Sequence, residues 1–253
     1  MNTDTPTTRN MLAQADLLLL LAEVYRSPAA QNAPPLADVT THDADNLLDA
    51  AGLPDDAPLR QAIAEAIGAT EALGVAAWSD EYHRLFEGAM LCPLNESAYV
   101  RRDKGAILGD LCAFYRAFGW QPAADTAEKP DHLATELEFM SMLLIMLARA
   151  EETGQVEHAA ITRDALGRFA GDHPGDWVDV VCDHIIACTR LDALAAYTRA
   201  LAALWKAMTT FWQWPTDPTA TAPAPAEEPE SPYECAAPGS ETTALTRDGR
   251  PVC

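Results

Sequence analysis

The chain has 253 residues, 49% of them apolar, and sets 38 acidic against 17 basic side chains for a formal charge of -21. That length supports one domain or two small ones, and the negative charge excludes a general affinity for nucleic acid or anionic membrane surfaces, which repel such a chain. Six cysteines, at 92, 112, 182, 188, 235 and 253, form no C-x-x-C pair and follow no signal peptide, so they read as reduced thiols of a cytoplasmic protein without a zinc ribbon.

Residues 1–9 are rich in threonine, show no apolar period and are expected to form a flexible arm. From Asn10 the pattern is helical, with Leu12, Ala15, Leu19 and Ala22 recurring at three or four residues until Pro28. The aliphatic run within it, Leu17 to Ala22, is far shorter than the roughly 18 residues of a membrane span. Helical patterns follow at Ala44–Ala51, Pro58–Leu73 and Val75–Glu87, punctuated by Gly52, Pro54 and Gly74. Gly88–Gly105 has no sustained period and reads as an ordered loop, too apolar and aromatic for a flexible linker.

Helical patterning resumes at Ala106–Phe118 and again from Pro130. There Leu133, Leu137, Met140, Leu144 and Leu147 lay one apolar stripe along about five turns. Two more helices are expected at Val156–Ala170 and Trp177–Cys188, then a long apolar one at Leu191–Trp214. No strand series is present, so the predicted class is all-α, a single helical domain of eight or more helices over residues 10–214. Beyond it, 8 of the 18 prolines fall in the last 39 residues among Thr, Ala and Glu, which predicts a disordered acidic tail over 215–253. Its "SPYEC" and terminal "PVC" read as solvated tail or docking peptide.

The stretch "EKPDHLATELEFM", Glu128 to Met140, admits several readings. His132 and Glu136 lie four apart on one helix face behind Asp131, which suits a metal or an acid/base pair in a helical metalloenzyme. H-E-x-x-H, paired E-x-x-H, G-x-S-x-G, the P-loop and G-x-G-x-x-G are all absent. A structural reading is equally available: Pro130 opens the helix, Asp131 faces its positive end, and His132 pairs with Glu136. Elsewhere "YHRLFEG" sets Tyr82, Leu85 and Phe86 on one helical face, as core or as groove. "PLNESAYVRRDKG" carries Glu96, Ser97 and Tyr99 on a loop, a common setting for recognition. Arg101 and Arg102 lie mid-chain with no apolar segment behind them, so they read not as an export signal but as partners of acidic neighbours or of another protein's carboxylates.

Taken in order, Y-x-x-L-F at Tyr82–Phe86, Pro93 with E-S-x-Y at Glu96–Tyr99, F-Y-x-x-F-G at Phe114–Gly119 and K-P-D-H-L-x-x-E-L-E-F-M from Lys129 resemble the TorD/DmsD/NarJ family of redox-enzyme maturation chaperones. The resemblance is close over Tyr82–Leu147 and looser in the flanking helices. It implies a non-enzymatic, all-helical cytoplasmic protein, monomer or dimer. Its partners would be the catalytic subunit of a molybdenum-containing oxidoreductase and that subunit's twin-arginine signal peptide, held back from export until the cofactor is inserted. The chaperone itself would carry no cofactor, the molybdenum cofactor belonging to the client, with transient contact at most. The signal-peptide surface would comprise Tyr82, Leu85, Phe86, Pro130, Asp131 and His132, with Glu96, Tyr99 and Glu136 as neighbours. This chain departs from some members in having Tyr82 in place of tryptophan and Lys129 before the proline.

A twin-arginine peptide offers two guanidinium groups and an apolar segment, so its receptor needs carboxylates beside an apolar groove. Each charge-assisted bond is worth roughly 1.5–3 kcal/mol. Burying 300–400 Å² of apolar surface gives roughly 8–10 kcal/mol before ordering costs. The groove would supply most affinity and the carboxylates most specificity.

Overall fold

A computed structural model describes residues 6–28, 33–88, 90–121, 129–215 and 219–223. Among these, nine α-helices follow one another with no strand: α1 (Thr8–Ala22), α2 (Thr41–Ala51), α3 (Ala57–Thr70), α4 (Val75–Phe86), α5 (Lys104–Ala117), α6 (Leu133–Glu152), α7 (Val156–Asp172), α8 (Pro174–Cys188) and α9 (Asp192–Trp212). The class is all-α in one helical domain, as the sequence predicts. No helix among the described residues is long and apolar enough to cross a membrane.

Helix α6 is the axis. Its predicted stripe of Leu133, Leu137, Met140, Leu144 and Leu147 is fully buried, and the helix packs against α1 and α7. α9 packs against α3 and α8, and α1 also meets α2. Helix α1 differs from expectation in its inward face. Leu12 and Leu19 are exposed, while Met11, Leu17, Leu18 and Leu21 are buried with Ala15 and Ala22. Five successive leucines define no phase of their own, so packing against α6 selects the face.

Local chemistry sets the helix ends. The α1 helix begins at Thr8, two residues before the predicted start, because Thr7 and Asn10 form a reciprocal capping box. The α8 helix begins at Pro174, whose missing N–H costs nothing in a first turn. It leaves α7 so sharply that a Cβ on Gly175 would stand 2.5 Å from the Ala170 carbonyl oxygen, which explains the glycine.

Two buried polar side chains join helices distant in sequence. Gln14 donates from Nε2 to the Ala51 carbonyl at the end of α2 (3.0 Å) and accepts from the Trp212 indole of α9 (2.7 Å). Tyr197 donates to the Pro35 carbonyl (2.8 Å) and shares a hydrogen bond with Thr70 of α3. The start of the proline-rich segment also meets the domain: Trp214 is buried beside Trp205 and Trp212, Thr219 donates twice to Asp176 (2.7 Å each), and Thr221 N–H donates to the Tyr99 carbonyl (3.1 Å). Residues 224–253, with "SPYEC", "PVC", Cys235 and Cys253, lie outside the described residues, as do residues 1–5 of the expected arm.

Replacing Gln14 by Leu leaves the Ala51 carbonyl and the Trp212 indole N–H unpaired in the interior. The expected cost is about 2 kcal/mol, read as a fall of roughly 4–8 °C in melting temperature with helical content retained.

Candidate functional site

The loop after α4 and the entrance of α6 are fastened by a short antiparallel pairing centred on Asn95 and His132. Glu96 N–H donates to the Asp131 carbonyl and Leu133 N–H to the Leu94 carbonyl, both at 2.9 Å. The fully buried Asp131 side chain completes the fastening, accepting from Asn95 Nδ2 (3.0 Å) and from Ser97 N–H (3.3 Å). His132 caps α6 by accepting the Ala134 N–H on Nδ1 (3.3 Å), and Tyr115 donates to the Pro130 carbonyl (2.7 Å). The sequence K-P-D-H thus serves as the N-terminal lock of α6, where orphan N–H groups and the helix dipole favour acceptors and negative charge.

Behind this lock lies a buried polar network. Glu96 accepts from His173 Nδ1 (2.9 Å) and from Arg102 Nη2 (3.2 Å). Glu136, one turn into α6, accepts from the Trp177 indole of α8 (3.1 Å), and its other oxygen has no hydrogen-bond partner among the described residues. Burial, reinforced by the nearby charge of Glu96, pushes Glu136 well above the usual carboxylate range. The Arg102 side chain remains 40% exposed, whereas the Glu96 side chain is fully covered. Arg102 therefore lies between Glu96 and solvent. Asp110 stands at the edge, 3.7 Å from His173 Nε2.

Eight of the nine residues predicted for the recognition surface, all except the half-buried Pro130, are interior. Tyr82 packs edge-on against Phe86 (4.9 Å between centroids) and donates to the Tyr25 carbonyl (2.9 Å); Leu85 is fully buried. Tyr99 stacks on Trp177 (5.5 Å). The structure brings Glu96, Asp131, His132 and Glu136 into one region around the α6 entrance. It does not join Asp131, His132 and Glu136 as metal ligands: each turns to a different partner, and no metal-capable group among the described residues includes them. Arg102 pairs with an acidic neighbour, as its sequence position suggests. His173, Trp177 and Asn95 were not predicted. His173 sits in "DHPGD", a helix break whose only sequence signal is the proline behind it.

An all-helical domain with this motif order defines a class of protein. The chain matches, over residues 53–183, the family described as "Nitrate reductase delta subunit", and it belongs to that family of NarJ/TorD-type chaperones. It is also similar to the selenate reductase assembly chaperone protein of Thauera selenatis, with 36% identity over 75 residues, 30% of this chain. That alignment spans 38% of the relative's length.

Replacing Asp131 by Ala removes the acceptor of the half-buried Asn95 amide and Ser97 N–H, so equilibrium unfolding should show a loss of about 2 kcal/mol. This differs from what an exposed recognition residue would give, namely unchanged stability. Burial lowers His132 from 6.5 to about 4, partly opposed by Asp131 and assisted by Arg26. Between those values the unfolded chain binds the extra proton. The contribution is therefore complete above pH 6.5, declines as pH falls toward 4, and is constant below. About 2 kcal/mol should be lost between pH 7.5 and 5, and His132→Asn, which retains a capping acceptor, should remove that component.

Proposed function

We propose that the protein is a non-enzymatic assembly chaperone for the catalytic subunit of a molybdenum-containing oxidoreductase, acting in the cytoplasm before export. It would bind the subunit's twin-arginine signal peptide and its cofactor-free body. Family membership supports the chaperone class, and the assembly role of the Thauera relative supports the type of client. The observation that carries the peptide reading is Arg102 on Glu96: a guanidinium already seated on a buried carboxylate beside Asp131 and Glu136. A cluster of carboxyls with so little positive charge against it is suited to accept further guanidinium groups.

On this reading the peptide's arginines compete with Arg102 for Glu96 and with Asn95 for Asp131. Tyr82, Leu85 and Phe86 supply apolar surface once the segment after α4, tied to it by the Cys92 N–H to Leu85 carbonyl bond (2.9 Å), lifts away. Tyr99, Pro130, His132 and Glu136 frame the opening. Buried residues serve recognition here because the loop that covers them is held by the same carboxylates that the ligand engages.

The test pairs affinity capture with peptide binding. Capture from cells grown with molybdate under respiratory conditions should return a molybdoenzyme catalytic subunit with its leader uncleaved or its cofactor missing. In fluorescence anisotropy with a synthetic twin-arginine peptide, Arg102→Ala should tighten binding about fivefold by removing the internal competitor, and Glu96→Gln should weaken it at least tenfold. Capture without such a subunit, together with peptide binding indifferent to both substitutions, would overturn the reading.

A further inference from the structure

Cys92, His184 and Cys188 meet although the first is 92 residues from the second. Each offers one ligand atom, and the three atoms lie within 4.8 Å of one another, the one such group among the described residues. His184 and Cys188 are separated by one turn of α8 and share a face. Cys92 approaches from the segment that follows α4.

Both sides of the cluster are anchored to the end of α4. Cys92 N–H donates to the Leu85 carbonyl (2.9 Å), and Arg84 donates to the Cys188 carbonyl (2.8 Å). Glu81 holds the next turn, accepting from Thr189 Oγ1 (3.0 Å) and Arg190 N–H (2.6 Å). Two of the three ligand groups are therefore set by α8, and the third by the segment after α4. Cys92 is buried, while His184 and Cys188 are partly exposed, which leaves a path from solvent.

The geometry points to a binding site for a thiophilic d10 cation, zinc(II) first among them, held by Cys92, His184 and Cys188 with a fourth position open. Two sulfurs and one imidazole match the donor set of open zinc centres, and the oxygen-seeking cations are disfavoured by it. The outer contacts fit as well: Tyr99 hydroxyl lies 3.2 Å from His184 Nδ1, fixing the ring, and Tyr99 itself stacks on Trp177. Without metal the Cys92 S–H reaches the His184 carbonyl (3.7 Å). On binding, each zinc(II) displaces two S–H protons to solvent and forms two Zn–S bonds and one Zn–N bond, leaving a centre with no net charge.

Full-length protein, reduced and stripped of metal, is titrated with cobalt(II) and then with zinc(II). We expect one equivalent of cobalt with a thiolate-to-metal charge-transfer band, displaced by one equivalent of zinc. Cys188→Ser and His184→Ala, both at partly exposed positions, should each weaken cobalt binding at least tenfold. Cys112→Ser and the double variant Cys235→Ser/Cys253→Ser should leave it unchanged. Absence of the charge-transfer band in the unmodified chain, or its persistence at full strength in Cys188→Ser, would overturn the site. Cys92→Ser is confirmatory only, since its burial couples it to folding.

Discussion

The pairing of Asn95 with His132 governs the arrangement around it. In a helical protein, backbone groups outside helices must find partners individually, and two reciprocal backbone bonds here tie an irregular loop to the first turn of the central helix. Register is thereby fixed. A slip of one residue would turn Asp131 away from Ser97 N–H and would withdraw Glu96 from His173, because alternate residues of an extended segment point to opposite sides. The lock at the α6 entrance and the network behind it are one unit.

That unit is electrically unusual. Interior carboxyls are costly unless matched by positive charge or hydrogen bonds, and these are matched by a histidine, an indole, an asparagine amide, a backbone N–H and a single half-exposed arginine. Apolar replacements of similar volume are often at least as stabilising as buried charged groups. On the proposed function, the carboxyls retained in this place would serve selectivity for a cationic ligand more than stability. Arg102 pairs with Glu96 and, on that proposal, would restrict entry to ligands able to outcompete a guanidinium.

The sequence conveyed the fold well and the site partly. Helix α6 was legible because its apolar residues keep one phase over five turns, whereas the leucine run of α1 fitted several phases equally and only packing chose among them. Motif order pointed to the α6 entrance, yet Glu96, Asp131 and Glu136, placed on a recognition surface through the resemblance, are interior. Their interior partners lie 34 to 77 positions away, at Ser97, Trp177 and His173, and nothing in local spacing links them. The cysteines illustrate the same limit. Cys182 and Cys188 are neighbours in sequence, but it is Cys92 that joins Cys188 in space, through the docking of α8 on the end of α4.

Gln14 has a consequence for synthesis of the chain. Its amide satisfies a carbonyl in α2 almost as soon as that helix exists, but its second partner, Trp212, is 198 residues further along. Ribosomes add roughly 5–20 residues per second, so α1 waits on the order of 10–40 s before its interior hydrogen bonds are complete. During that interval its leucine-rich face has no α9 to help cover it. A protein whose proposed task is to shelter an unfinished partner would thus itself emerge with part of an apolar face uncovered until α9 is made.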